Sequence, residues 1–102
     1  MGRNDLILIP LLTPVVIEIR KPGEGELKEL GIDVWGTWEC AVSEFSWEYT
    51  DRETCYLFEG EVTVTSDDGA VTFGAGDIVV FPKGLKCTWK VTKPVRKKFR
   101  FG

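Results

Sequence analysis

The sequence predicts an all-β fold, a single antiparallel barrel or sandwich, on three observations. Short runs rich in Val, Ile, Phe, Tyr and Trp recur roughly every 8–12 residues. Within them apolar and polar side chains alternate, as where Val62 and Val64 oppose Thr63 and Thr65, and a period of two sends the two sets to opposite faces of a strand. Turn residues punctuate the runs, notably Asp67-Asp68-Gly69 and Gly74-Ala75-Gly76. Asp-Gly tolerates the positive φ of tight hairpin turns. Helical periodicity is nearly absent.

Taken in order, residues 5–9 and 15–20 read as β segments. Pro10 and Pro14 between them cannot donate to a ladder, so both segments belong at an edge or in an arm. Lys21-Pro22-Gly23 is a turn, and 24–30 makes one or two helical turns with Gly31 as the cap beyond them. From Val34 to Tyr49, Trp38, Cys40 and Val42 share one strand face, with Thr37, Glu39 and Ala41 on the other. Phe45, Trp47 and Tyr49 continue the series after a kink near Ser43-Glu44. Further strands are expected near 54–59, 61–66, 71–73, 77–82, 87–92 and 95–101. There is no internal repeat, low-complexity tract or linker, so 1–102 is expected to form one domain.

Composition excludes several classes. With 43% hydrophobic and 28% charged residues the composition is ordinary for a soluble globular protein, and disorder is not expected. The run 6–19 is broken by Pro10 and Pro14 and is too short to span a bilayer. A net charge of −3 argues against nucleic acid. The charge is uneven, however. Residues 83–102 hold 8 of the 13 basic side chains and none of the 16 acidic ones. The simplest account is a C-terminal strand anchored by Val95, Phe99 and Phe101, its lysines facing water. Three cysteines without paired spacing indicate a reducing, cytoplasmic setting and not a disulfide framework, and no secretory signal is evident.

Two blocks carry a resemblance. Glu53 is followed after six residues by Gly60, and Gly76 after five residues by Pro82 and then Gly84. With Cys87-Thr88-Trp89 and Val95-Arg96-Lys97, this pattern resembles the paired motifs of the cupin superfamily. The likeness is to the small single-domain RmlC-like cupins, in the branch related to ureidoglycine aminohydrolase and the ethanolamine-utilisation cupin. It implies a cupin barrel of the double-stranded β-helix, or jelly-roll, type with its core at 27–101. Residues 1–20 would then be N-terminal edge strands or a dimer arm, and a homodimer is implied. The family's metal site is typically three histidines and one glutamate. This chain contains no histidine. Only the glutamate position survives, as Glu53; the first-motif histidines fall within 46–49, and the second-motif histidine is replaced by Cys87.

The candidate site residues follow from both arguments. Glu53 shares strand parity with Cys55 and Leu57, so it turns inward if they do, the other reading being a surface Glu in a turn beside Asp51 and Arg52. A carboxylate at the barrel mouth suits a general base or a hydrogen-bond acceptor for a ligand. Cys87 is a candidate nucleophile, but without histidine a Cys–His pair is impossible, and a small apolar barrel-lining residue is the simpler reading. Cys40 and Cys55 read as core. Trp38, Trp47 and Trp89 with Tyr49 could wall a pocket for a small organic ligand, or fill the core and a dimer interface. For a metal, Glu53 and Cys87 are the available donors, with Glu48 or Tyr49 beside them. No cofactor is expected on that set.

Three functions remain open. The leading one is a metal-independent cupin that binds a small polar or aromatic metabolite through Trp38, Trp47, Tyr49, Glu53, Cys87 and Trp89. The second is a metal-dependent enzyme acting on a small nitrogenous or carboxylic metabolite. The third is a structural or regulatory module with a filled barrel.

Overall fold

The structure, a computed structural model, describes residues 16–102. The strand expected at 5–9, with Pro10 and Pro14, lies outside the described residues. The described chain runs β1 (Glu18–Arg20), α1 (Glu26–Leu30), a 3₁₀ turn (Ile32–Val34), β2 (Gly36–Cys40), β3 (Ser43–Glu48), β4 (Glu53–Ser66), β5 (Gly69–Gly74), β6 (Ile78–Phe81) and β7 (Lys86–Phe101). The all-β, antiparallel expectation holds, with one five-residue helix between β1 and β2.

The short helix forms where the sequence placed it. The Glu26 carboxylate accepts the Gly23 N–H at 2.8 Å and is paired with the Arg20 guanidinium, which ties the first turn to β1. Gly31 ends the helix at φ 68, its N–H returning to the carbonyls of Leu27 and Lys28. A left-handed cap of this kind suits glycine, which has no Cβ to clash.

Two long strands organise the rest. β4 and β7 pair with each other along most of their length, and each exchanges its outer neighbour midway. The first half of β4 lies beside β6 and its second half beside β5. The first half of β7 pairs with β3 and its second half with β2. Strands written as separate at 54–59 and 61–66, and at 87–92 and 95–101, are therefore single bent strands. The bend falls where the β4–β7 register slips, between Leu57 and Val62. Gly60 sits there at φ 112, and a Cβ on it would lie 2.7 Å from the Pro94 carbonyl oxygen and 2.8 Å from Val95 Cα. Only glycine permits that approach.

Bending in this way brings the inner faces of the two halves together over a core that includes Cys55, Leu57, Val62, Val64, Phe73, Val79, Phe81, Trp89, Val91 and Val95. The roll does not close into a complete hydrogen-bonded ring. Among the described residues β1 pairs only with β6 and β2 only with β7. The series 38, 40, 42 also stops early. β2 ends at Cys40, Ser43 Oγ donates to the Ala41 carbonyl at 2.8 Å, and Val42 is left exposed in the connection. The break thus falls at 41–42, just before the expected kink.

Candidate functional site

At the start of β4 the chain passes from exposed Asp51 and Arg52 to a strand whose odd positions, Glu53, Cys55 and Leu57, all face the interior. A carboxylate so placed needs a partner, since an isolated buried charge is far costlier than a paired one. Its partner is Lys97 on β7, whose Nζ donates to Glu53 Oε2 at 2.6 Å. Both side chains are 6% exposed. Lys97 is opposite Trp38 in the β2 ladder and Leu57 in the β4 ladder. Its ammonium lies 4.8 Å from the Trp38 ring centre, 5.0 Å from that of Trp89 and 5.7 Å from that of Phe99. Ring faces at that range attract a cation. The expectation that the lysines of this strand face water fails at this position, for the reason that turns Glu53 inward: Lys97 has the parity of Val95 and Phe99.

The pair forms the polar part of a half-open cavity of about 230 Å³. Among the described residues its remaining lining is Trp38, Phe45, Trp47, Tyr49, Trp89, Phe99 and Phe101, all aromatic. Trp89 organises these rings. Trp38 meets it edge-on at 5.6 Å, Phe45 stacks on it at 6.0 Å, and its indole N–H donates to Tyr49 Oη at 3.0 Å. Tyr49 stacks on Phe81 at 4.6 Å, and its backbone is held by Gly84 and Leu85 through bonds of 2.7 and 2.8 Å. Among the described residues no acceptor takes the Tyr49 hydroxyl proton. Burial, and then the nearby Glu53 carboxylate, push that phenol well above its ordinary range. It therefore stays protonated and is a standing hydrogen-bond donor in the cavity.

Of the residues singled out from sequence, Trp38, Trp47, Tyr49, Glu53 and Trp89 come together in this cavity. Cys87 does not line it. It borders a separate surface depression with Trp47, Glu48, Thr65 and Thr88, and burial raises its thiol pKa. Cys55 lies in the core with its thiol pushed up to about 12 by burial, against the pull of Lys97. Neither is a ready thiolate. Sequence reasoning did not name Lys97, Phe45, Phe99 or Phe101 as site residues, although strand parity was signal enough for Lys97.

The donor set does not fit a divalent metal. Imidazole is missing from the whole chain, and Glu53, the one carboxylate lining the cavity among the described residues, already faces an ammonium at 2.6 Å. Among the described residues no three His, Cys, Asp or Glu side chains gather into a cluster able to hold an ion.

Comparison with known proteins places this architecture. The EutQ-like cupin domain matches residues 27–99. The crystal structure of a DUF861 family protein from Thermotoga maritima is 49% identical, with 85% of this chain and all of that chain covered and a TM-score of 0.83. A DUF861 family protein of unknown function from Pseudomonas syringae is 30% identical at a TM-score of 0.60, over 66% of this chain but only 29% of that one. The EutQ protein of Clostridium difficile shares the fold at 21% identity and a TM-score of 0.60, over 85% of this chain and 68% of its own. No curated protein matches. The motif positions read from sequence, the rolled antiparallel sheet and these matches agree: the chain belongs to the EutQ-like cupin family.

Proposed function

We propose that this cupin binds a small planar metabolite in the aromatic cavity, without a metal, and that the ligand carries an oxygen acceptor. One observation supports the reading above the others: among the described residues, seven aromatic side chains surround one ion pair, Glu53–Lys97, in a cavity of about 230 Å³. Apolar walls with a few converging polar groups are the usual makeup of a small-molecule site. The rings offer stacking area, while Tyr49 O–H and Lys97 Nζ offer donors to a carbonyl or carboxylate oxygen. Glu53 holds the ammonium in place rather than a metal ion.

Titrating the protein with a panel of small aromatic acids and aldehydes, read by tryptophan fluorescence, tests this. Saturable quenching that weakens in Trp47→Ala is the expected result, because Trp47 is at the open side, 50% exposed. If no compound in the panel perturbs the emission, and Mn, Zn, Ni or Fe salts instead raise the melting temperature, the metal-dependent alternative replaces this one.

A homodimer is part of the proposal. Trp47 and Phe101 at the cavity rim leave large apolar surface uncovered, at 50% and 56% exposed, which a second copy would bury, and light scattering gives the mass. A cytoplasmic setting is supported by the free thiols of Cys40, Cys55 and Cys87. No helix among the described residues is long and apolar enough to cross a membrane. Nucleic acid is not proposed as a partner, because Arg96 and Lys97 of the basic strand are engaged with Glu59 and Glu53.

A further inference from the structure

Among the described residues one amine is buried, and it opens onto the cavity. Lys97 is 5% exposed overall, whereas every other described lysine is exposed or half-buried. Among the described residues it is also the one amine lining the aromatic cavity. Three features around it have a common chemical meaning. A proton acceptor, Glu53 Oε2, stands 2.6 Å from Nζ. Three ring faces, those of Trp38, Trp89 and Phe99, hold a positive charge at that nitrogen. A protonated phenol, Tyr49, lines the same space and can donate to an oxygen bound there. Lysines in apolar pockets beside a proton-transfer partner are the ones that form imines with carbonyl compounds.

We propose that Lys97 captures a small aromatic aldehyde or ketone as a covalent imine. This rests on the ligand-binding reading above and names its substrate class. The ammonium passes one proton to Glu53, and the free amine pair attacks the carbonyl carbon while Tyr49 donates a hydrogen bond to the carbonyl oxygen. A C–N bond forms, and the carbonyl π pair moves to the oxygen. A proton lost from the nitrogen and the one held by Glu53 convert that oxygen to water, which leaves as the C=N bond forms. The one proton that nitrogen has kept throughout makes the product the iminium, with Glu53 again a carboxylate. The balance is one ammonium plus one carbonyl to one iminium plus one water, with no oxidant or reductant. Charge at Nζ is the same before and after, so the cage that holds the ammonium also holds the product.

The test uses the whole protein with benzaldehyde as probe, and cyanoborohydride to trap any imine. Adducts are located by peptide mass mapping against time, and tryptophan quenching by benzaldehyde alone is measured in parallel. The expected result is a benzyl adduct on Lys97 forming on the order of tenfold faster than on any surface lysine, a preference lost in urea. Glu53→Gln is expected to slow it on the order of 100-fold, the usual size of a positioned acid–base group. Saturable quenching with Lys97 unmodified would overturn the imine and leave the binding site standing. Neither quenching nor an adduct would overturn both. Adducts spread evenly over the surface lysines, with no preference for Lys97, would also overturn it.

Discussion

Replacing Lys97 by Met is the most informative single perturbation, because its cost separates two accounts of the ion pair. If the pair is a fully buried, mutually dependent unit, Lys97→Met leaves the Glu53 carboxylate facing apolar surroundings and the electron-rich faces of Trp38 and Trp89. An orphaned buried charge of that kind costs about 3–5 kcal/mol, a large part of the roughly 5–15 kcal/mol that a domain has. Glu53→Leu should cost less. The stranded ammonium keeps its contacts with three rings at 4.8, 5.0 and 5.7 Å, which recover about 1–2 kcal/mol in a desolvated setting. The double variant removes both charges from a site walled by hydrocarbon, and should return to within about 1 kcal/mol of the parent, or exceed it. Urea unfolding followed by far-UV circular dichroism measures all three, and the cycle isolates the coupling. Additive single costs, or a Lys97→Met protein as stable as the parent, would refute a dry and coupled pair and with it the cavity's polar centre.

Other outcomes follow from the same geometry. Gly60→Ala should lose more than about 2 kcal/mol in urea, since a positive φ and a 2.7 Å approach to the Pro94 carbonyl act together. Gly69→Ala, at φ 117 with nothing within 4 Å, should lose only the conformational part, about 1 kcal/mol. The Glu26 carboxyl should titrate by NMR near 2 rather than the ordinary 4.5, chiefly because Arg20 hydrogen-bonds it and then because the Gly23 N–H does. A depressed carboxyl contributes stability above its ordinary value and loses it as pH falls through about 2, so the α1 anchor should survive mild acid; Arg20→Gln should move the midpoint upward. In thiol labelling of the native protein, Cys40 should react first, Cys87 slowly and Cys55 only on unfolding, given a half-exposed, a nearly covered and a core position with the last thiol at about 12.

How much of this was legible depended on whether a residue's fate is set by its own strand. Parity tied Glu53 to Cys55 and Leu57, the family position favoured the inward choice over a surface turn, and alternation, a local property of an extended chain, placed the tryptophans and Tyr49 on their strand faces. Turn chemistry at Asp67-Asp68-Gly69 and the Gly31 cap were equally local, and both stand where expected. The long-range facts were not legible. That 54–59 and 61–66 are one strand follows from Gly60 crossing β7 at Pro94, a contact between residues more than thirty positions apart. Cys87 illustrates the limit from the other side. Parity makes it inward, as it does Trp89, but which cavity a buried side chain borders depends on the strand facing it. Opposite Cys87 is Trp47, whose indole stands between the two spaces by lining both.

Lys97 is the instructive omission. Its charge suggested solvent, while its position between Val95 and Phe99 required the interior, and position prevailed. The inward position is tolerated because the ammonium there meets the Glu53 carboxylate at 2.6 Å and three aromatic rings. In cupins of the usual kind that glutamate helps hold a metal ion. In a chain without imidazole the remaining carboxylate would be a buried anion with nothing to offset it, a state costly enough to threaten so small a domain. An ammonium carried in on the longest strand solves that problem within the same scaffold. A metal is a Lewis acid with open coordination positions, whereas a lysine is a proton donor and, once deprotonated, a nucleophile. The Glu53–Lys97 pair therefore puts a proton donor and its acceptor in the cavity, which is the feature that the proposed imine chemistry rests on.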